Sequence, residues 1–246
     1  MVSMTKKKPR VKTAAGASGA SGTRSRAPAK RGYTSPLRED QARATSKAIV
    51  DAAAALFAGG YASVSIDAIA AAAGVSRATV FTSVGGKPAL LKAAYAAAFG
   101  RAAGAEDQAM PLYERPRSRL IRAETTVRGY LRGYAGLAAA IGRHLARIHL
   151  ALCEAAASDE EARELLERLL AERRRGADTI VADVRARHGR LRPKLDLTRA
   201  ADAVWVLMDP TWFHMLVNQR GWDEEHFTEW LAHAIEAELI APPVER

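Results

Sequence analysis

Apolar residues recur along this chain at spacings of three and four, and runs of alternating β-branched residues are absent, which predicts an all-α fold. Ile49, Ala52, Ala53, Leu56 and Phe57 form one stripe, so a helix is expected over 39–58, ended by Gly59-Gly60. After a connection at 61–64, Ser65 is a good N-cap for a second helix. Asp67 sits in its first turn, where the helix dipole favours an anion. Ile66, Ile69, Ala70 and Ala73 face inward, and Gly74 stops the helix. Ser76 can cap a short third helix over 77–84, closed by Gly85-Gly86. Pro88 suits the first turn of a fourth helix, which carries Leu90, Leu91, Ala94 and Tyr95 and ends near Gly104.

The pattern then breaks. Residues 105–118, with Pro111 and Pro116, read as a linker. Five further helices are expected near 125–142, 144–157, 159–187, 197–219 and 223–240, with a break at 189–194. Asp209-Pro210 inside the fourth of these should kink it. The chain therefore divides into an arm at 1–38, a small helical domain at 39–104 and a larger one at 105–246.

Charge changes the picture at one end only. Of the 37 Lys and Arg, ten lie in residues 1–38 with no acid among them, which leaves 27 bases and 27 acids for the rest. The arm is rich in Ala, Gly, Ser, Thr and Pro and has too few large apolar groups to order itself. A basic arm attracts polyanions, nucleic acid or an anionic membrane surface; a plain solubilising tail is the other reading. One cysteine, Cys153, excludes an internal disulfide. The basic N-terminus lacks the apolar stretch of a signal peptide, and no run of apolar residues is long enough to span a membrane. The expectation is a cytoplasmic protein at the nucleoid, with no membrane partner.

The chemistry concentrates between the second and third helices. Two helices joined through Gly74-Val75-Ser76 have the proportions of a helix-turn-helix, in which Gly allows the sharp turn, Val75 plugs the core and the second helix projects polar groups. A major groove accepts one α-helix and shows each base pair as a distinct donor and acceptor pattern. Arg77 could grip a guanine edge, and Thr79 a phosphate or a thymine methyl. Ser76, Thr82, Ser83 and Lys87 could hold phosphates; Arg43 and Ser65 complete the candidate DNA-binding set. The bland reading is a capped helical corner.

In these residues the chain resembles the TetR-type (tetracycline-repressor-like) transcriptional regulators. The resemblance is carried by Gly60-Tyr61, Ser65-Ile66, Ile69-Ala70, Ala73-Gly74-Val75-Ser76, Ala78-Thr79-Val80-Phe81, and Lys87 with Leu90. It extends more weakly to the stretch from Arg220-Gly221-Trp222 to Leu231. Phe81 stands where the family usually has Tyr, Ser83-Val84 where it has His-Phe, and Pro88 where an acid follows the Lys. The resemblance implies a homodimer on a palindromic double-stranded DNA operator, paired through the helices near 197–219 and 223–240. It also implies a small-molecule effector in the larger domain.

A pocket there would be mostly apolar with a few polar groups. Tyr130, Tyr134, His149, Cys153, Trp205, Met208 and Trp212 are the candidate lining, although an aromatic and Met stripe more often packs a core or a dimer contact. The histidines form no metal-ligand pattern: His144 and His149 are five apart, so no metal and no cofactor are expected. Cys153 reads as a buried small apolar group, and Arg173-Arg174-Arg175 as a solvated face. No nucleophile motif or phosphate-binding Gly loop is present, which argues against an enzyme. The rival readings are a non-regulatory helical ligand-binding dimer and an architectural DNA binder that works through its arm.

Overall fold

The computed structural model describes residues 36–103, 112–188 and 191–241. The basic arm, but for its last three residues, lies outside them, as do the first half of the expected linker and the start of the break at 189–194. The described residues build ten α-helices: α1 (Pro36–Phe57), α2 (Ile66–Ala73), α3 (Arg77–Ser83), α4 (Lys87–Ala103), α5 (Pro116–Arg122), α6 (Val127–Ala156), α7 (Glu160–His188), α8 (Leu197–Leu207), α9 (Pro210–Phe213) and α10 (Glu224–Leu239). A short 3₁₀ turn (Leu112–Glu114) precedes α5, and a π-helical turn (His214–Gln219) follows α9.

Two apolar cores organise these helices. In the first, the stripe of α1 (Ile49, Ala53, Phe57) packs on Ile69, Val80, Leu90 and Leu91. This core does not close on α1–α4 alone: Leu145, Ile148 and Leu152 of α6 and Leu165 of α7 complete it. The second core holds Tyr130, Leu131 and Leu137 of α6, Ile180 and Val184 of α7, Val204, Phe213, and the inner face of α10 with Phe227, Leu231 and Ile235. α6 thus serves both cores. At 30 residues it is about 45 Å long.

Three expectations need correction. The linker over 105–118 contains the start of α5: Pro116 opens it at a position that needs no N–H, and Ser118 and Ile121 are buried, but seven residues are too few for periodicity to reveal. The helices expected at 125–142 and 144–157 are one, α6. Gly142 does not break it. A Cβ there would lie 2.6 Å from Phe213 Cβ and 2.5 Å from Phe213 Cγ, so the glycine makes room for α9. The stretch 197–219 is broken, as Pro210 foretold: α8 ends at Leu207, Asp209 accepts the Thr211 N–H at 2.8 Å, and α9 restarts at Pro210.

Candidate nucleic-acid interface and ligand cavity

α3 is held by a few local devices. Ser65 caps α2 by accepting the Ala68 N–H at 3.1 Å. Gly74 then takes the left-handed conformation, φ 67° and ψ 30°, which turns the chain sharply; no side chain crowds it, so backbone conformation alone asks for glycine there. Ser76 caps α3 by accepting the Thr79 N–H at 3.0 Å, and its hydroxyl lies 2.8 Å from that of Thr79. Val80, fully buried, and half-buried Val75 anchor the inner side. That leaves Arg77, Phe81, Thr82 and Ser83 exposed on one short helix.

Of the candidate DNA-binding residues, Ser65 caps α2, Ser76 caps α3, Arg77, Thr79, Thr82 and Ser83 lie on α3, Lys87 opens α4 and Arg43 lies apart on α1. Arg77 Nη1 donates to Asp67 Oδ2 at 2.6 Å, and its guanidinium lies 5.6 Å from the Phe81 ring. Both partners of that ion pair are exposed, so it is worth about 0–1 kcal/mol and is readily exchanged for another acceptor. The Thr82 hydroxyl donates back to the Ala78 carbonyl at 3.0 Å. Lys87 Nζ sits 4.1 Å above the Tyr61 ring. Arg43 is exposed and paired with Asp40.

One link was not legible beforehand. Glu154, near the end of α6, accepts the N–H groups of Tyr61 at 2.7 Å and Ala62 at 3.0 Å, in the turn between α1 and α2. Those two hydrogen bonds hold its carboxyl below the usual range, and Lys87 adds to the effect. An acid near a helix C-terminus carries no sequence signal for such a role.

Between the cores lies a cavity of about 560 Å³. Tyr95 and Phe99 of α4, Leu137, Ile141 and His149 of α6, Leu169 and Arg173 of α7, and Phe213 and Phe227 are part of its wall. Of the candidate lining, Tyr134, His149 and Met208 belong to it. Tyr130, Cys153, Trp205 and Trp212 are not among the lining residues. Tyr130 is wholly buried, and its hydroxyl donates to Asp183 at 3.0 Å. Trp205 donates from Nε1 to the Leu170 carbonyl at 3.2 Å, and Trp212 to that of Val206 at 2.9 Å. Cys153 is exposed, not buried as expected: its place on α6 turns outward. Its thiol, 3.7 Å from His149 Nε2, is held above the usual range first by partial burial and then by Asp209, against Arg173, so it is a poor thiolate.

The polar end of the cavity centres on Asp209. Arg173 Nη2 forms an ion pair with Asp209 Oδ2 at 2.7 Å, and His149 Nε2 is 3.8 Å from the same oxygen. Arg173 is thus not a solvated charge. Its side chain is 16% exposed and lies 5.2 Å over the Trp205 ring, because the break before α9 brings an acid to its side. Burial alone would raise the Asp209 pKa, but the hydrogen bonds from Thr211 and the Arg173 charge outweigh it and leave the carboxyl depressed. Burial lowers the His149 pKa, with Arg173 adding and Asp209 opposing, so the imidazole is neutral and its approach to Asp209 is not an ion pair. Among the described residues no group of three His, Cys, Asp or Glu could hold a metal ion, and no helix is long and apolar enough to cross a membrane.

Among the described residues, helices with a capped, outward-facing α3 after a left-handed glycine have the architecture of a helix-turn-helix. Residues 49–94 match the family model described as bacterial regulatory proteins, tetR family, the family that the sequence resembles. No curated protein matches the sequence. Solved structures share the fold over most of the chain. NalD, the secondary repressor of the MexAB-OprM multidrug efflux pump in Pseudomonas aeruginosa, is 25% identical, with 82% of this chain and 98% of that one covered and a TM-score of 0.55. A proposed transcriptional regulator from Pseudomonas aeruginosa PAO1 is 20% identical, with coverage of 83% and 92% and a TM-score of 0.58. SmeT in complex with triclosan is 17% identical, with coverage of 82% and 95% and a TM-score of 0.56.

Proposed function

We propose that this protein is a ligand-responsive transcriptional repressor that binds a palindromic operator as a homodimer, in the cytoplasm at the nucleoid. Residues 39–104 read the DNA, and residues 105–246 bind the effector and the second subunit. One observation carries the reading: α4, which follows the recognition helix α3 directly, also supplies Tyr95 and Phe99 to the cavity wall. A ligand that fits the cavity better in one placement of α4 than in another biases where α3 stands, which is the differential affinity that ligand control requires. The triclosan held by SmeT is consistent with this use of the fold.

Dimer formation is supported by Val206 and Met215, large apolar side chains left 46% and 44% exposed beside half-buried Trp205 and Trp212. Most of the apolar residues of α10 (Phe227, Leu231, Ile235 and Leu239) serve its own core. A twofold axis would set two copies of α3 one or more DNA turns apart, about 34–36 Å for one turn.

The test is selection of bound DNA from a random pool by the full chain at about 150 mM salt, where nonspecific phosphate binding is suppressed. An enriched inverted repeat is the expected result. Arg77→Ala should then weaken binding by about 1–3 kcal/mol and relax one position of each half-site. Binding with no enriched sequence would overturn the proposal.

A further inference from the structure

The polar end of the cavity has buried polar atoms that its own residues do not satisfy. Arg173 uses Nη2 on Asp209, but its Nε is buried without a hydrogen-bond partner. A guanidinium does not lose its proton, so that Nε is always a donor. His149 is 3% exposed, and its Nδ1 is likewise without a partner. Both side chains line the same cavity, and Arg173 Nη2 and His149 Nε2 approach the same oxygen of Asp209. Buried polar atoms of this kind are normally matched, and a molecule held in the cavity that both side chains line would supply a match.

Charge indicates what that something is. Lys92, Arg173 and Arg175 line the cavity against Glu172 and Asp209, a surplus of cations. Away from this end the wall is apolar, with Phe99, Leu137, Ile141, Leu169 and Phe213. Its volume of about 560 Å³ falls within the about 300–1,000 Å³ of small-molecule sites.

We propose that the cavity takes an amphipathic carboxylic acid, its carboxylate on Arg173 Nε and its apolar body along α4, α6 and α7. The inference rests on the cavity being the effector site and names the class of effector. The head meets a charged donor while Asp209 keeps Nη2, so binding does not require the existing ion pair to break. A neutral head would leave the cation surplus unanswered, and a cationic head would meet Arg173 directly.

Titration calorimetry on the full chain tests this with decanoate, decanol and decyltrimethylammonium, which share one tail and differ in the head. Naphthoate and naphthol make the same comparison for an aromatic body and separate straight-chain from aromatic acids. At least one acid should bind about tenfold or more tighter than its alcohol, and the ammonium should be the weakest. Arg173→Lys keeps a cation beside Asp209 but removes the Nε donor. It should shrink the advantage of the acid over its alcohol to within about threefold. Equal binding of acid and alcohol, or tightest binding of the ammonium, overturns the carboxylate head while the cavity remains an effector site. Failure of all five probes overturns the amphipathic acid as well, and selection of an operator by the same preparation would still stand apart from it.

Discussion

Replacing Gly142 by alanine puts a methyl group where Phe213 already stands. The new Cβ would lie 2.5 Å from Phe213 Cγ and 2.6 Å from Phe213 Cβ, inside any normal contact. Those atoms are close to the α9 backbone, so a rotamer change cannot clear them and the helix itself must shift. Overpacking of this kind costs about 1–3 kcal/mol, here at the upper end. Alanine returns about 1 kcal/mol through its better helix propensity, which leaves a net loss of about 2 kcal/mol. For a chain of this size about 1 kcal/mol moves Tm by roughly 2–4 °C, so the midpoint should fall by about 4–8 °C. Gly176 provides the control. It lies inside α7, and an added Cβ would meet nothing within 4 Å. Gly176→Ala should therefore raise stability by about 1 kcal/mol and Tm by roughly 2–4 °C. Thermal unfolding of the two variants beside the parent decides the matter. If Gly142→Ala melts at or above the parent, α9 does not press on the middle of α6, and the reason given for an unbroken α6 is wrong.

Other consequences are open to measurement. Glu154→Ala removes the acceptor for the Tyr61 and Ala62 N–H groups, so amide exchange at those two residues should accelerate while the core of α6 stays protected. If the link transmits binding, the variant should also lose part of the ligand's effect on operator affinity; unchanged coupling would reduce Glu154 to a structural cap. His149 is neutral in its pocket among Asp209, Arg173, Tyr95 and Cys153, and its folded pKa lies below the usual 6.5. The unfolded chain therefore binds a proton first as pH falls, and the stability due to this group is full above about 6.5 and declines below it. Urea unfolding between pH about 7.5 and about 5.5 should show that decline, and His149→Gln should flatten it by at most about 1.4 kcal/mol per pH unit; an unaltered slope would refute the assignment. Deleting residues 1–35, which hold nine Lys and Arg, spares α1. It should weaken operator binding and flatten its log–log salt dependence by roughly 0.9 for each cation that meets a phosphate, without altering the preferred sequence. A changed preference would mean that the arm reads bases.

Features set by neighbours in sequence were legible, and those set by distant neighbours were not. Ser65 and Ser76 could be named as caps because the N–H groups they accept lie three residues on, and Gly74 because a left-handed turn excludes most other residues. Pro210 announced its own break. Gly142 has the opposite character. Locally it reads as a helix stop, while its reason for being glycine is Phe213, far along the chain. Arg173 likewise sits in a run of three arginines that looks solvated, and becomes a half-buried partner only because the break before α9 delivers Asp209 to it. The cavity was half legible for the same reason. His149 and Met208 belong to stretches that read as interior, but Tyr95 of α4 reads as the local core of the helix-turn-helix, and no spacing shows that it faces a cavity together with Phe99.

That last point bears on how binding at one end could reach the other. α4 contributes to the wall that a ligand would touch, and its N-terminal Lys87 follows closely on the end of α3. α6 makes a second connection, because His149 in the cavity and Glu154 at the α1–α2 turn are five residues apart, a rise of about 7.5 Å on one helix. A shift of either helix alone would strain the turn that the other holds. The two are therefore expected to move together or not at all, and a ligand would act as a switch between two placements of α3. If so, substitutions on α4 and at Glu154 should change the same coupling energy and combine non-additively in a double-mutant cycle. Simple additivity would mean that one of the two connections carries no signal.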